Sequence, residues 1–138
     1  MEIQVFSGND IEASKDIIYA FYLPKYYPEY TKAILNSGYV VVAVSNKQVV
    51  GALRIITDND RFAFIVDFVV DEGVQKQGVG TKIMDKAVEV CEKELVEFTG
   101  LFVERVEGLE WLVEFYEKLG FKTQDGFYME YQDEARHD

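Results

Sequence analysis

Three β-rich runs follow one another in the middle of the chain. Tyr39–Val44 and Val49–Ile56 flank the polar turn 45–48, and Phe62–Val70 comes after the polar turn 58–60. Runs of β-branched and aromatic residues joined by short polar turns are typical of antiparallel hairpins. The chain therefore has to build its core on an antiparallel sheet, and its remaining elements have to pack against that sheet.

The residues before these runs predict one more strand and two helices. Glu2–Phe6 alternates as a short strand. Asn9 or Asp10 is suited to cap a helix that ends at Pro24, because proline cannot continue a helix. A second short helix is predicted after Pro28.

The residues after the three runs predict helices that alternate with strands. Beyond the loop 71–77, apolar residues recur at the spacing of a helix that lies on the sheet; they are Ile83, Met84, Ala87, Val88, Cys91 and Leu95. A strand at Leu101–Val103, a helix that stops at Gly120 and a last hairpin of Phe121–Thr123 and Phe127–Tyr131 follow. This order predicts an α+β fold of three layers, with a mixed, mostly antiparallel central sheet flanked by helices.

The length and composition predict one domain. A chain of 138 residues that is 49% apolar fits a single compact unit, which we place at residues 1–132, with a polar tail at 133–138. No apolar run approaches the roughly 20 residues that cross a bilayer, and the first residues do not resemble a secretory signal. The single cysteine, Cys91, cannot form an internal disulfide. We expect a cytoplasmic protein without a membrane partner.

The charge argues against nucleic acid as a partner. The net charge is −11, whereas a general nucleic-acid binder needs a basic face to neutralise phosphates. Residues 1–70 have a net charge of −2 and residues 71–138 a net charge of −9. The acidic half is either ordinary solvated surface or a field that attracts cationic substrates.

A strand runs into a glycine-bearing loop that opens a helix, over Phe64–Thr81. Glycines 78 and 80 allow backbone N–H groups to approach an anion, and the positive end of a helix dipole favours negative charge. The alternative is an ordinary tight turn. The dinucleotide fingerprint fails because Ile83 stands where its third glycine belongs, and no Gly-Lys-Ser/Thr sequence of a Walker loop occurs.

Two motifs resemble those of the GNAT family of N-acetyltransferases. Gln75-Lys76-Gln77-Gly78-Val79-Gly80 is similar to the family's pyrophosphate-binding loop, and Phe115-Tyr116-Glu117-Lys118-Leu119-Gly120-Phe121 is similar to its second signature. The resemblance covers nearly the whole chain and implies a GNAT-like fold that binds acetyl-CoA. It implies coenzyme contacts from Gln75, Lys76, Gln77, Gly78, Val79, Gly80 and Thr81, and from the backbone of Phe68, Val69 and Val70, which would also polarise the thioester. The family often has an asparagine near the start of its fourth helix, where this chain has Gly108-Leu109-Glu110.

Transfer of an acetyl group to an amine needs a base, because an alkylamine with a pKa of about 10 is mostly protonated at neutral pH. The one histidine, His137, lies in the polar tail and is a poor candidate. Asp67 interrupts an otherwise apolar strand, where an ionisable group is costly unless it is paired or used. Asp67 is therefore our candidate base, and a hydrogen-bonded structural acid is the equal alternative.

The departing thiolate needs a proton donor. The resemblance implies that Tyr116 is this acid, whereas the helix pattern alone suits a core aromatic beside Leu112, Phe115 and Leu119. Cys91 has no histidine partner and lies on a packed helix face, which disfavours a covalent acetyl-enzyme. We therefore expect direct attack in a ternary complex. We also expect no metal, because Asp58-Asn59-Asp60 fits a turn better than a calcium loop.

Tyrosines are dense between the first two predicted helices. In the family this region lines the acceptor side, so we expect Tyr26, Tyr27 and Tyr30 to contact the acceptor. Aromatic faces attract cations, which suits a small cationic amine with a hydrophobic body; the alternative is that the rings only pack the helices together. Transfer to protein N-termini or lysines, and a non-catalytic CoA-binding sensor, are the competing functions. A homodimer is compatible with the sequence.

Overall fold

The computed structural model describes residues 1–26, 30–103, 107–126 and 128–132. The strands are β1 (Glu2–Ser7), β2 (Tyr39–Ser45), β3 (Gln48–Thr57), β4 (Phe62–Val70) and β5 (Phe98–Leu101). The helices are α1 (Asn9–Tyr22), α2 (Thr31–Leu35), α3 (Val79–Lys93) and α4 (Trp111–Lys118), and a 3₁₀ turn occupies Glu72–Val74. No helix among the described residues is long and apolar enough to cross a membrane.

The described strands form one five-stranded sheet in the order β1-β2-β3-β4-β5. Its first four strands are antiparallel, and β5 pairs parallel to β4. Helix α3 connects these two strands, because a parallel pair needs a crossover. The mixed, mostly antiparallel sheet flanked by helices confirms the predicted fold class.

Each face of the sheet has its own apolar core. Along β2, Val40 and Val42 face α1 and α2, whereas Val41 and Ala43 face α3. This alternation places successive side chains on opposite faces. One core contains Ile18, Tyr22 and Ile34, and the other contains Ile83, Met84, Ala87 and Cys91. Three layers result, with the sheet in the middle.

Two details of the helices differ from the predictions. Helix α1 begins one residue early, because Gly8, at a φ of 53°, is its N-cap and accepts the N–H of Ile11; neither Asn9 nor Asp10 caps it. Helix α3 ends at Lys93, so Leu95 is not on its apolar face. Leu95 has a φ of 57° and is 84% exposed, because it occupies the left-handed position after the helix.

The end of the sheet also differs. Strand β5 begins at Phe98 rather than at the predicted Leu101, because the N–H of Phe98 already bonds to the carbonyl of Arg61. The described parts of the predicted last hairpin, 121–126 and 128–132, contain no strand. Their polar groups bond locally: the N–H of Phe121 bonds back to Tyr116, and the side chain of Gln124 bonds to the carbonyl of Lys122. Phe127 and the tail 133–138 lie outside the described residues.

The site is positioned by the divergence of β4 and β5. Pairing of these strands runs from Phe62 with Phe98 to Ile65 with Leu101 and stops there, while β4 continues to Val70. A register shift between β3 and β4 follows Val66. Beyond Ile65, the edge of β4 that faces β5 therefore has no strand partner among the described residues.

Candidate active site

A cleft of about 460 Å³ opens where β4 and β5 separate, and we call it the β4–β5 cleft. It is lined by Tyr26, Phe64, Ile65, Val66, Asp67, Phe68, Leu101, Phe102 and Tyr116. A shallower hollow of about 410 Å³ lies against β1 and α1 and contains none of the predicted site residues. The β4–β5 cleft brings together the predicted base, the predicted acid and one predicted acceptor residue.

Asp67 lies in a bulge of β4. Its φ of 54° is in the left-handed region, and the pairing of Arg54 with Val66 and of Ala52 with Val69 leaves residues 67 and 68 opposite Leu53 alone. A bulge re-aims side chains and is common next to active sites. The carbonyl of Asp67 accepts a hydrogen bond of 2.7 Å from the hydroxyl of Tyr22, which is fully buried. The bulge is therefore fixed from the α1 side of the sheet.

The carboxylate of Asp67 forms an ion pair with Arg54. Its Oδ2 lies 2.6 Å from Nη2 and 2.8 Å from Nε of Arg54. Burial raises the pKa of the Asp67 carboxyl, and the nearby hydroxyl of Tyr26 acts in the opposite direction. The adjacent guanidinium also favours the ionised form. Burial lowers the pKa of Arg54, but a guanidinium stays protonated in proteins.

Arg54 was missed by the sequence analysis. It interrupts the apolar strand β3 in the same way that Asp67 interrupts β4, and this shared signal points to a buried pair. Arg54 also donates through Nη1 to the carbonyl of Ala33 and to Ser37, and through Nε to the hydroxyl of Tyr30. Asp67 is thus paired with Arg54, as expected of a structural acid, and it also lines the cleft, as a base requires.

Tyr116 reaches the cleft from α4. Its ring contacts those of Phe115 and Phe121 edge-on, at centroid distances of 5.3 Å and 6.1 Å. Its hydroxyl has no hydrogen-bond partner within the described ranges of the chain. Burial raises the pKa of the Tyr116 phenol, so the proton stays on the oxygen throughout the neutral range. A protonated, unpaired hydroxyl in a cleft is suited to donate a hydrogen bond or a proton to a ligand.

The glycine loop, residues 75–81, presents a row of backbone donors. Lys76 and Gly78 have φ values of 69° and 79°, and Gly78 is the N-cap of α3. Among the described residues, the N–H groups of residues 76–81 have no protein acceptor, and the first helical bond runs from Lys82 to Gly78. Free backbone N–H groups in a turn that opens a helix form an anion-binding concavity. The loop therefore fits a phosphate group.

The side chains of the loop differ in their contacts and exposure. Gln75 donates through Nε2 to the carbonyl of Val70, which ties the loop to the end of β4. Val79 belongs to the core and is 4% exposed, so its N–H is the part of it that can serve a ligand. Gln77 and Thr81 are exposed. Val69 and Val70 pair with Ala52 and Gly51 of β3.

Gly80 has a packing role that the sequence did not reveal. A Cβ at this position would lie 3.2 Å from Cζ of Phe68 and 3.8 Å from Cζ of Phe115. These two rings stack at a centroid distance of 6.3 Å. Gly80 thus lets the start of α3, the cleft residue Phe68 and helix α4 approach one another, which joins the loop to the cleft.

The predicted acceptor tyrosines are only partly brought to the cleft. Tyr26 lines it, and Tyr30 stacks behind Tyr26 at 5.0 Å with the rings 5° from parallel. Tyr30 does not line the cleft; its ring lies 5.2 Å from the Arg54 guanidinium. Tyr27 lies outside the described residues. No group of three His, Cys, Asp or Glu side chains that would hold a metal occurs within the described part of the chain.

Comparison with known proteins identifies the class. Residues 10–121 match the model of the Acetyltransferase (GNAT) family, so the chain belongs to that family and has an acetyltransferase domain. A UPF0039 protein of Schizosaccharomyces pombe is 28% identical over 104 residues, which are 75% of this chain and 67% of that protein.

Solved structures show the same fold. A GNAT family acetyltransferase of Streptococcus pneumoniae TIGR4 superposes with a TM-score of 0.75 at 22% identity, covering 96% of this chain and 99% of that one. An aminoglycoside acetyltransferase from an uncultured soil metagenomic sample, solved with trehalose, has a TM-score of 0.69 at 20% identity, covering 96% and 95%. The match over residues 10–121 confirms the expected membership of the GNAT family, and these structures confirm the fold.

Proposed function

We propose that this acetyltransferase transfers an acetyl group from acetyl-CoA to the nitrogen of a primary amine, by direct attack in a ternary complex. The observation that carries the proposal is the meeting of Asp67 and Tyr116 in one cleft, which the Phe68–Gly80 contact joins to the glycine loop. The loop donors would hold the pyrophosphate of the coenzyme, and the unpaired edge of β4 would face its pantetheine arm. Acetyl-CoA supplies the activated acyl group.

The chain's own groups match the two proton transfers that the reaction needs. The carboxylate of Asp67, directly or through a water, accepts the proton that the amine loses as its nitrogen attacks the carbonyl carbon. Tyr116 donates a proton to the sulfur as the C–S bond breaks. Backbone N–H groups near Phe68 would stabilise the oxyanion that forms between these events.

The test of the proposal is acetyl transfer by the purified protein. Release of free thiol and the mass of the product are measured with acetyl-CoA and panels of small amines, lysine peptides and N-terminal peptides. We expect turnover with small amines. Turnover restricted to peptides would support a protein acetyltransferase instead, and coenzyme binding without turnover on any acceptor would support a CoA-binding sensor.

We expect CoA to stabilise the fold. A ligand present at 100 times its Kd contributes about 2.7 kcal/mol, which corresponds to a rise in Tm of about 10 °C for a domain of this size. NAD, which shares the adenosine diphosphate part, is the matched control and is expected to raise Tm by much less. Thermal unfolding monitored by circular dichroism measures both. Equal shifts with CoA and NAD would contradict the assignment of the coenzyme site.

The cleft favours an amine with a hydrophobic body over a polycation. Among the described lining residues, Asp67 is the one carboxylate, and Arg54 balances its charge, while Tyr26, Phe64, Phe68, Phe102 and Tyr116 supply aromatic walls. An arylalkylamine should therefore have a higher kcat/KM than a polyamine or an aminoglycoside. The acidic second half of the chain would add a general attraction for cations.

The contribution of Tyr26 to acceptor binding is measurable by ring removal. We expect Tyr26→Ala to lower kcat/KM for the arylalkylamine by about 2- to 30-fold, the value of a lost cation–π or stacking contact. Tyr26→Phe keeps the ring and is expected to retain most of kcat/KM. If Tyr26→Ala changed only the stability of the protein, the acceptor would have to bind elsewhere in the cleft.

A further inference from the structure

Arg54 connects three parts of the site from a buried position. Its side chain is 9% exposed. Nη2 and Nε donate to Asp67, and Nε is also 3.2 Å from the hydroxyl of Tyr30. Nη1 donates at 3.0 Å to the carbonyl of Ala33 in α2 and to the hydroxyl of Ser37 after it. The planar guanidinium has its donors in a fixed fork, so these partners hold it in one orientation.

Arg54 pairs with one of the two carboxylate oxygens of Asp67. Both short contacts use the same carboxylate oxygen, Oδ2. Among the described residues, Oδ1 accepts no hydrogen bond of its own, so it can face a ligand in the cleft or the nearby hydroxyl of Tyr26. A purely structural pair gains most from a bidentate geometry that uses both oxygens. The observed geometry instead holds the carboxylate by one oxygen while the side chain, 21% exposed, lines the cleft.

We propose that Arg54 is a positioning residue for acetyl transfer, which holds Asp67 ionised through Oδ2 so that Oδ1 receives the proton of the attacking amine. This inference rests on the proposed function of Asp67 as the proton acceptor. Tyr22 completes the arrangement, because its hydrogen bond to the Asp67 carbonyl fixes the backbone of the bulge. Removal of the Arg54 cation should therefore raise the pKa of Asp67, and not only lower the stability of the fold.

Tyr22, Tyr26 and Tyr116, which lie around Asp67, do not titrate in the same pH range as Asp67. Tyr22 faces it from α1, Tyr26 and Tyr30 from the segment before α2, and Tyr116 across the cleft from α4. Burial raises the pKa of Tyr22, Tyr26 and Tyr116 above the ordinary tyrosine value, and Arg54 stays charged. Among these groups, Asp67 is the one that gains a proton as the pH falls below neutrality.

The experiment is a pH profile of kcat at saturating amine, since kcat reports the ionisations of the bound complex. Asp67 is active when ionised, so activity is lost as the pH falls through its pKa. An opposite charge within 4–6 Å lowers a carboxyl pKa by about 1 to 3 units. We therefore expect Arg54→Gln to move the acidic limb upward by about 1 to 3 pH units, with the largest loss of rate at low pH.

Ser37→Ala is the matched control. It removes one bond to Arg54 but leaves the cation beside Asp67, so its acidic limb should coincide with that of the wild type. Circular dichroism and Tm establish that each variant is folded. A folded Arg54→Gln with the wild-type limb, or with an equal loss of rate at every pH, would overturn the proposal and leave Arg54 a structural residue.

Arg54→Lys is the second variant if glutamine prevents folding. It retains the charge but not the fork, so we expect an acidic limb raised by less than about 1 unit together with a lower kcat. A wild-type limb and a wild-type kcat in Arg54→Lys would contradict the positioning role. Failure of the proposed function looks different: the wild type would acetylate no amine, or Asp67→Asn would keep the wild-type rate and pH profile.

Discussion

Tyr116→Phe lowers kcat by about 10²- to 10⁴-fold in our expectation, the usual contribution of a positioned proton donor. The ring stays, so its contacts with Phe115 and Phe121 stay, and the affinity for CoA should change little. The hydroxyl has no partner within the described residues, so its loss leaves no protein group unsatisfied. Steady-state kinetics and the Tm shift with CoA separate catalysis from binding.

Tyr39→Phe is the control for the loss of a phenolic hydroxyl. Tyr39 lies at the start of β2, where its hydroxyl bonds to Asn59 outside the cleft, so this variant should keep the wild-type kcat.

The raised pKa of Tyr116 adds a second check. An acid works while it is protonated, so the wild-type kcat should not fall before the pH exceeds the ordinary tyrosine value of about 10. Full activity of Tyr116→Phe would reduce Tyr116 to a packing residue.

Gly80→Val abolishes the stabilisation by CoA in our second expectation. The new Cβ would lie 3.2 Å from Phe68, and its methyl groups would press on the Phe68–Phe115 stack. Overpacking of this kind typically costs about 1 to 3 kcal/mol. The start of α3 would move away from β4 to relieve it. The loss of the Tm rise of about 10 °C with saturating CoA is the measurement.

Two other glycines separate the causes of that loss. Gly126 has open space around it and no positive φ, so Gly126→Ala should keep the full CoA shift. Gly78→Ala adds no contact but strains a left-handed residue with a φ of 79°, which should weaken coenzyme binding through the loop conformation. A full CoA shift in Gly80→Val would contradict the joining of loop and cleft through this glycine.

The central part of the fold was predictable because its signals are local. The runs that became β2, β3 and β4 are dense in β-branched residues, and β4 was predicted at its observed bounds. The last hairpin and Leu95 were predicted wrongly for one reason. An apolar alternation shows that a segment fits a sheet or helix face, but it does not show whether a partner strand is within reach or whether the helix has already ended.

Some single residues of the candidate site were predictable from the sequence, but their arrangement was not. An acid in an apolar strand marked Asp67, and the second motif marked Tyr116; the cleft contains both. The partnership of Asp67 with Arg54 depends on the register of β3 against β4, which a bulge shifts. Similarly, the spacing of Tyr26 and Tyr30 does not show that one ring lines the cleft while the other stacks behind it.

The left-handed backbone at Asp67 has a consequence for engineering. A residue other than glycine in that conformation costs on the order of 1 kcal/mol, but Asp67→Gly would also leave the buried guanidinium of Arg54 without its carboxylate, which costs about 3 to 5 kcal/mol. A search for more thermostable variants would therefore keep aspartate at position 67 despite the backbone strain. A stabilised version of the protein has to draw its improvements from residues distant from the bulge.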